Sequence, residues 1–254
     1  MNHHNDEQLM RDTTSRMAAY VSKYITPISV ELEPGYGRLL GSGSYLKLDD
    51  RIFVVTNEHV CFEAGEHQAG HLLIGSDDYY RFQRPAIGIR DRRDVAVSVV
   101  NRSAWLMNSS LAITQPMLAD CHSPIAKELL FFMGYPGDRS RFSLDTLVTR
   151  AQPYLTQEDV SMAYDETTFF LPYNTEYAQR VDGGTQPLPL ANGLSGSLVW
   201  NTRRIEFSNR GDAWQPSDAR VTGILQRWVT GDVCLRATRI EEMKLRWLVA
   251  QYAR

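Results

Sequence analysis

From residue 28 to residue 100 apolar and polar positions alternate in short runs separated by turn residues. The runs Ile28–Leu32, Gly43–Leu48, Ile52–Thr56, His71–Ile74, Tyr79–Phe82 and Val95–Val100 are each strand-sized, and period-two alternation over such lengths marks a half-buried β-strand. A second series follows at Leu129–Gly134, Leu147–Gln152, Thr167–Leu171, Gly196–Trp200, Val221–Trp228 and Val233–Ala237. Short strands at regular intervals, with little helix between them, predict an antiparallel sandwich or a pair of barrels. The two ends differ. Leu9, Met10, Met17, Val21 and Tyr24 recur at helical spacing over residues 6–24, and Ile240, Met243, Trp247 and Leu248 form a second such stripe. Thr238, with Glu241 three residues on, reads as the capping box of that second helix.

Composition narrows the function classes. A chain of 254 residues, 43% hydrophobic, suffices for one large β domain or two lobes with a full core. A net charge of −3 gives no bulk attraction to nucleic acid or to an anionic membrane, so neither is expected as a partner. Arg90, Arg92 and Arg93 interleave with Asp91 and Asp94, the pattern of a solvated loop. No window approaches the roughly 18 apolar residues that a spanning helix needs. The polar opening MNHHNDEQLMRDTTSRM has no apolar core of a secretory signal. Cys61, Cys121 and Cys234 cannot all pair within one chain, which points to reduced thiols and a cytoplasmic location.

Three motifs carry chemistry. Phe53 to Val60 is an apolar run that delivers His59; Arg93-Asp94-Val95-Ala96-Val97 sets Asp94 ahead of another; Gly193-Leu194-Ser195-Gly196-Ser197 flanks Ser195 with glycines. A serine hydroxyl is a weak nucleophile until a base takes its proton, and imidazole titrates near working pH. A carboxylate then fixes the ring in the tautomer that leaves one nitrogen free. The backbone N–H groups of Gly193 and Ser195 would stabilise the oxyanion if the turn points both amides one way. Each motif alone is weak, but the order His, Asp, Ser in a β background makes the set specific.

On these motifs, together with Gly41-Ser42-Gly43-Ser44, Gly134-Tyr135-Pro136-Gly137 and Val221-Thr222-Gly223-Ile224, the chain resembles the trypsin/chymotrypsin superfamily in its bacterial trypsin-like branch over residues 29 to 240. The resemblance implies an all-β protein of two packed six-stranded antiparallel β-barrels, with a helix at each end and a cleft between the barrels. It places a first barrel over 29–115 and a second over 116–240, and the apolar stripes at the two ends add an N-terminal helical extension over 1–28 and a closing helix over 241–254. That closing helix would pack on the second barrel. It implies a serine endopeptidase acting on protein or peptide substrates, with no cofactor and no metal. Leu194 stands where secreted members carry the aspartate that receives a new N-terminus, which motivates an activating protein partner instead. Pro189 stands where trypsin selects basic residues with an aspartate, and Gln226, Arg227 and Trp228 occupy the stretch that lines the pocket in relatives. Trp228 would narrow that pocket, and Asp232 either reaches its floor or sits in a solvated turn.

Two rivals are weaker. Glu63, His67 and His71 repeat every four residues, as metal ligands on a helix would, but Gly65 and Gly70 disfavour a helix there. A hydrolase elbow needs a strand, a turn and a helix around the serine and the order Ser, Asp, His. The alternative from another class is a protease-fold module that binds partners and does not catalyse.

Overall fold

The computed structural model describes residues 3–74, 79–106, 108–143, 146–162, 165–174, 188–229 and 234–253. Helix α1 (His3–Val21) opens the chain. Seven strands follow: β1 (Ile25–Glu33), β2 (Tyr36–Leu48), β3 (Arg51–Thr56), β4 (Ala69–Leu72), β5 (Tyr79–Arg81), β6 (Ile87–Ile89) and β7 (Val95–Val99). They form one antiparallel sheet in the order β5-β4-β1-β2-β3-β7-β6. Two short helices belong to this half, α2 (Glu58–Phe62) and α3 (Arg102–Trp105).

The second half contributes β8 (Leu130–Gly134), the hairpin β9 (Arg141–Ser143) and β10 (Thr146–Val148), then β11 (Gln152–Thr156), β12 (Thr168–Pro172), β13 (Leu198–Asn201), β14 (Arg220–Val229) and β15 (Cys234–Arg239). Six of these pair antiparallel in the order β11-β8-β13-β14-β15-β12. Within this six-stranded sheet both strands that contain a proline, Pro153 in β11 and Pro172 in β12, lie at the edges. Proline cannot donate to a ladder on both sides, so that is where the sheet tolerates it. Helix α4 (Arg204–Arg210) follows β13, and α5 (Leu245–Ala250) follows β15.

Alternation along the strands sorts side chains between three apolar clusters. Ile28, Tyr45 and Val54 fill the core of the first sheet; Leu130, Phe132, Phe169 and Leu171 fill that of the second. Their neighbours in sequence, Leu46, Val55 and Phe131, turn the other way into a cluster shared by both sheets. The helices at the two ends seal it. Met17 and Val21 of α1 are buried there, and α1 lies against β8 and β11 of the second sheet, with the Arg16 guanidinium 4.8 Å from the Trp214 ring. Leu245, Leu248 and Tyr252 enter from the other end, and α5 lies against β7 of the first sheet. The Tyr252 hydroxyl reaches the carbonyls of Val97 at 2.9 Å and Pro85 at 3.0 Å. The closing helix therefore covers the first sheet and the seam, not the second barrel alone.

Local departures from the sequence pattern have local causes. The run Leu147–Gln152 divides, because Thr146–Val148 pairs with β9 while Gln152–Thr156 pairs with β8. Thr238 is no helix cap: it continues β15 and donates its hydroxyl to the Arg93 carbonyl at 2.6 Å. Lys244, in the left-handed region, immediately precedes α5.

Candidate active site

Strand β3 ends at Thr56, whose hydroxyl donates to the Ser42 carbonyl at 2.7 Å. One residue later α2 begins and presents His59. Asp94 faces it just ahead of β7. Asp94 Oδ2 lies 2.6 Å from His59 Nδ1, and Oδ1 accepts the His59 backbone N–H at 3.0 Å. An ionised carboxylate offers only acceptors, so Nδ1 carries the proton and Nε2 keeps a free lone pair. The Asp94 side chain is 7% exposed and that of His59 31%, which leaves the imidazole edge open to the cleft. Burial pushes the Asp94 carboxyl up, but the His59 ring and amide hydrogen bonds, with the charges of His59 and Arg227, outweigh it and hold the group below the usual aspartate range.

Asp94 sits at φ +49°, a left-handed conformation that aspartate tolerates better than most residues. Several groups hold it there. Asn57 donates its side-chain amide to the Asp94 carbonyl at 2.6 Å. Gln226 from β14 donates to the carbonyls of Arg92 and Arg93, and Thr238 adds its bond to Arg93. The second sheet thus fixes an acidic residue that the first sheet carries. Asn57, Gln226 and Thr238 are positioning residues without a chemical motif of their own in the sequence.

The turn Gly193–Gly196 brings Ser195 against the first sheet, where the Ser195 carbonyl accepts the Ser42 N–H at 2.8 Å. Gly193 (φ +89°) and Gly196 (φ +87°) both need the left-handed region. A Cβ on Gly196 would stand 2.0 Å from the Ser42 carbonyl oxygen, and one on Gly193 2.5 Å from that of Tyr135. Leu194 is buried in the core of the second sheet, and its N–H donates to Ala191 at 3.0 Å. Ser42 Oγ donates to the Gly193 carbonyl at 2.8 Å while accepting the Tyr135 N–H at 2.8 Å. The amides then alternate. Leu194 and Gly196 donate to backbone carbonyls, whereas among the described residues the N–H groups of Gly193 and Ser195 meet no protein acceptor. The Ser195 hydroxyl is half-buried and likewise makes no hydrogen bond to a described residue; catalytic contacts of this kind are often long until substrate is bound.

The remaining candidates scatter. Pro189 is buried, with its carbonyl accepting the Tyr173 hydroxyl at 2.8 Å. Gln226 is fully buried, with its side chain on the Asp94 loop, so it presents no surface to a substrate. Arg227 is exposed, and Trp228 packs half-buried on the core of the second sheet, its shielded indole N–H meeting no acceptor among the described residues. Asp232 lies outside the described residues. Glu63 and His67 are exposed, while His71 is buried in β4, bonded to the Tyr45 hydroxyl at 2.9 Å and pushed down to about 4 by burial. No His, Cys, Asp or Glu grouping fit for a metal occurs among the described residues. Burial at the Cys61 thiol, aided by Glu58 and Asp94, pushes its pKa up to about 12, which removes it as a competing nucleophile. No disulfide joins the three cysteines, and no described helix is long and apolar enough to cross a membrane.

No family model matches the chain, and no curated protein matches by sequence. Among solved structures, the tobacco vein mottling virus protease aligns with a TM-score of 0.53 at 10% identity, over 91% of this chain and 83% of that one. The fold is chymotrypsin-like. The serine protease domain of the Sesbania mosaic virus polyprotein aligns with a TM-score of 0.46 at 15% identity, over 91% of each chain. At such identities the likeness concerns the fold.

Proposed function

We propose that the protein is a serine endopeptidase. The observation that carries this reading is the joint geometry of the cleft: a His59–Asp94 pair with Nε2 left free, beside a serine turn whose two alternate amides have no acceptor of their own. In the proposed reaction, Ser195 Oγ attacks the scissile carbonyl carbon and its proton passes to His59 Nε2. The Nδ1–H bond to Asp94 stabilises the imidazolium that forms. The carbonyl oxygen becomes an oxyanion held by the Gly193 and Ser195 N–H groups. Collapse breaks the C–N bond, and the leaving amine takes the proton from His59. Water, deprotonated by the same imidazole, then releases the acid and restores Ser195.

The substrate class is protein or peptide. Two further parts of this reading, a cytoplasmic site of action and membership of the bacterial branch, rest on the sequence alone. So does an activating protein partner, although the burial of Leu194 gives the Gly193 turn an apolar anchor of its own.

One observation favours the non-catalytic module instead, namely the absence of a Ser195–His59 hydrogen bond among the described contacts. An active-site fluorophosphonate probe separates the two. The enzyme should be labelled, and labelling should vanish in Ser195→Ala. A chain that resists the probe under conditions where it is folded is the binding module.

A further inference from the structure

Strands β14 and β15 place Arg227 directly opposite Arg236. Their register shifts between Leu225 and Arg227, so that Gln226 is the extra residue of a bulge. Bulges re-aim side chains, and here Gln226 turns inward to the Asp94 loop. Cross-strand partners share one face of a sheet, and two like charges in that relation destabilise it. Among the described residues no carboxylate forms an ion pair with either side chain, and Asp165 and Asp94 offset the repulsion only in part. Arg227 is exposed and makes no hydrogen bond or ion pair there. Arg236 is half-buried, and among the described residues its guanidinium hydrogen-bonds through Nε alone, donating to Gln226 Oε1 at 2.6 Å. Burial, then the charge of Arg227, pulls the Arg236 pKa below its usual value, against the opposing influence of Asp165 and Asp94. Asp165 is otherwise occupied, accepting from the backbone and hydroxyls of Thr167 and Thr168 and facing Arg92 at 3.9 Å.

The strand that carries Arg227 also holds the serine turn. Leu225, two residues before Arg227, accepts the Gly196 N–H at 2.9 Å and donates to the Ser197 carbonyl at 2.9 Å. The charge of Arg227 is felt at Asp94. The two guanidinium groups thus lie within a few residues of both the nucleophile turn and the acid that orients His59. We propose that Arg227 and Arg236 form an acceptor for a carboxylate side chain of the substrate, close to the bond that is cut. The proposal rests on the peptidase reading and names its substrate class, an acidic peptide. A guanidinium presents parallel N–H donors that match a carboxylate, and a bound Asp or Glu relieves the repulsion between the two arginines. A Lys or Arg at the same position would add to that repulsion.

The test is a synthetic peptide library carrying every side chain at each position flanking the cut, followed by paired peptides with Glu or Gln at the selected position. Asp and Glu should be enriched at one position, with kcat/KM for Glu at least about tenfold above Gln, the worth of a hydrogen bond to a charged group. Arg227→Gln, at an exposed position, and Arg236→Gln should each erode that ratio, and the double change to Glu should invert it toward Lys. Retained fluorophosphonate labelling certifies that each variant is folded. Labelled wild-type protein that cleaves with no acidic preference, or with one that survives both single changes, overturns the acceptor alone. A chain that the probe never labels removes the peptidase reading and the acceptor together.

Discussion

Asp94 combines a strained backbone, a buried carboxylate and two hydrogen bonds to one histidine. Its pKa is lowered on folding, so it stabilises the folded state above the ordinary aspartate value, and that contribution is lost as pH falls through the lowered one. Asp94→Asn should therefore be destabilised most near neutral pH, with the gap to wild type closing below about pH 4; denaturant titrations across pH measure it. The same change should lower kcat by about 10³- to 10⁴-fold, because an amide can stabilise the wrong imidazole tautomer. A variant as active as wild type would break the assignment of Asp94. The pairing of His59 with Asp94 and the glycine-flanked turn at Ser195 were legible in the sequence because the chemistry proposed for them restricts residue type and chain order. Asn57 and Gln226 were not, because they act on backbone carbonyls 37 and 134 positions away, and an amide side chain leaves no pattern for such a contact.

Among the elements, the strands were legible because one buried face imposes period two over several residues. Strand β6, with three residues and Gly88 in the middle, is too short to show it. Helix α4 was invisible for a related reason: seven residues give barely two turns of periodicity. Its start is fixed from elsewhere. Glu128, 2% exposed, accepts the N–H groups of Leu129, Ile205 and Glu206 at 2.9 to 3.0 Å, and the Thr202 hydroxyl at 3.3 Å. A carboxylate at the first turn of a helix satisfies N–H groups that have no partner within the helix. Glu128→Ala leaves those buried donors unpaired and should cost about 1–3 kcal/mol. Urea unfolding reads this directly, and a cost within error of zero would show that water satisfies the site.

For the molecule as a whole, the sequence showed that each end carries an apolar stripe, but a stripe does not say which surface it covers. The structure sets α1 on the second sheet and α5 on the first, around one shared cluster. Both sheets should accordingly unfold together. Met17→Ala, at a fully buried position, should cost about 2–5 kcal/mol and leave a single transition seen equally by Trp200 and Trp214 fluorescence and by amide exchange in β7. Two separated transitions would show that the halves are independent.

This crossing also governs the order in which the chain can be completed during synthesis. Domains usually fold as units, the N-terminal one first as it leaves the ribosome. Here the outer side of β7 waits for residues 245 to 252. The half that carries His59 and Asp94 is translated early, yet it gains its cover only after the segment bearing Ser195 has been made. Histidine and serine thus come into their final setting in one late event, and under the proposed peptidase reading a half-finished chain would have little opportunity to cut its neighbours.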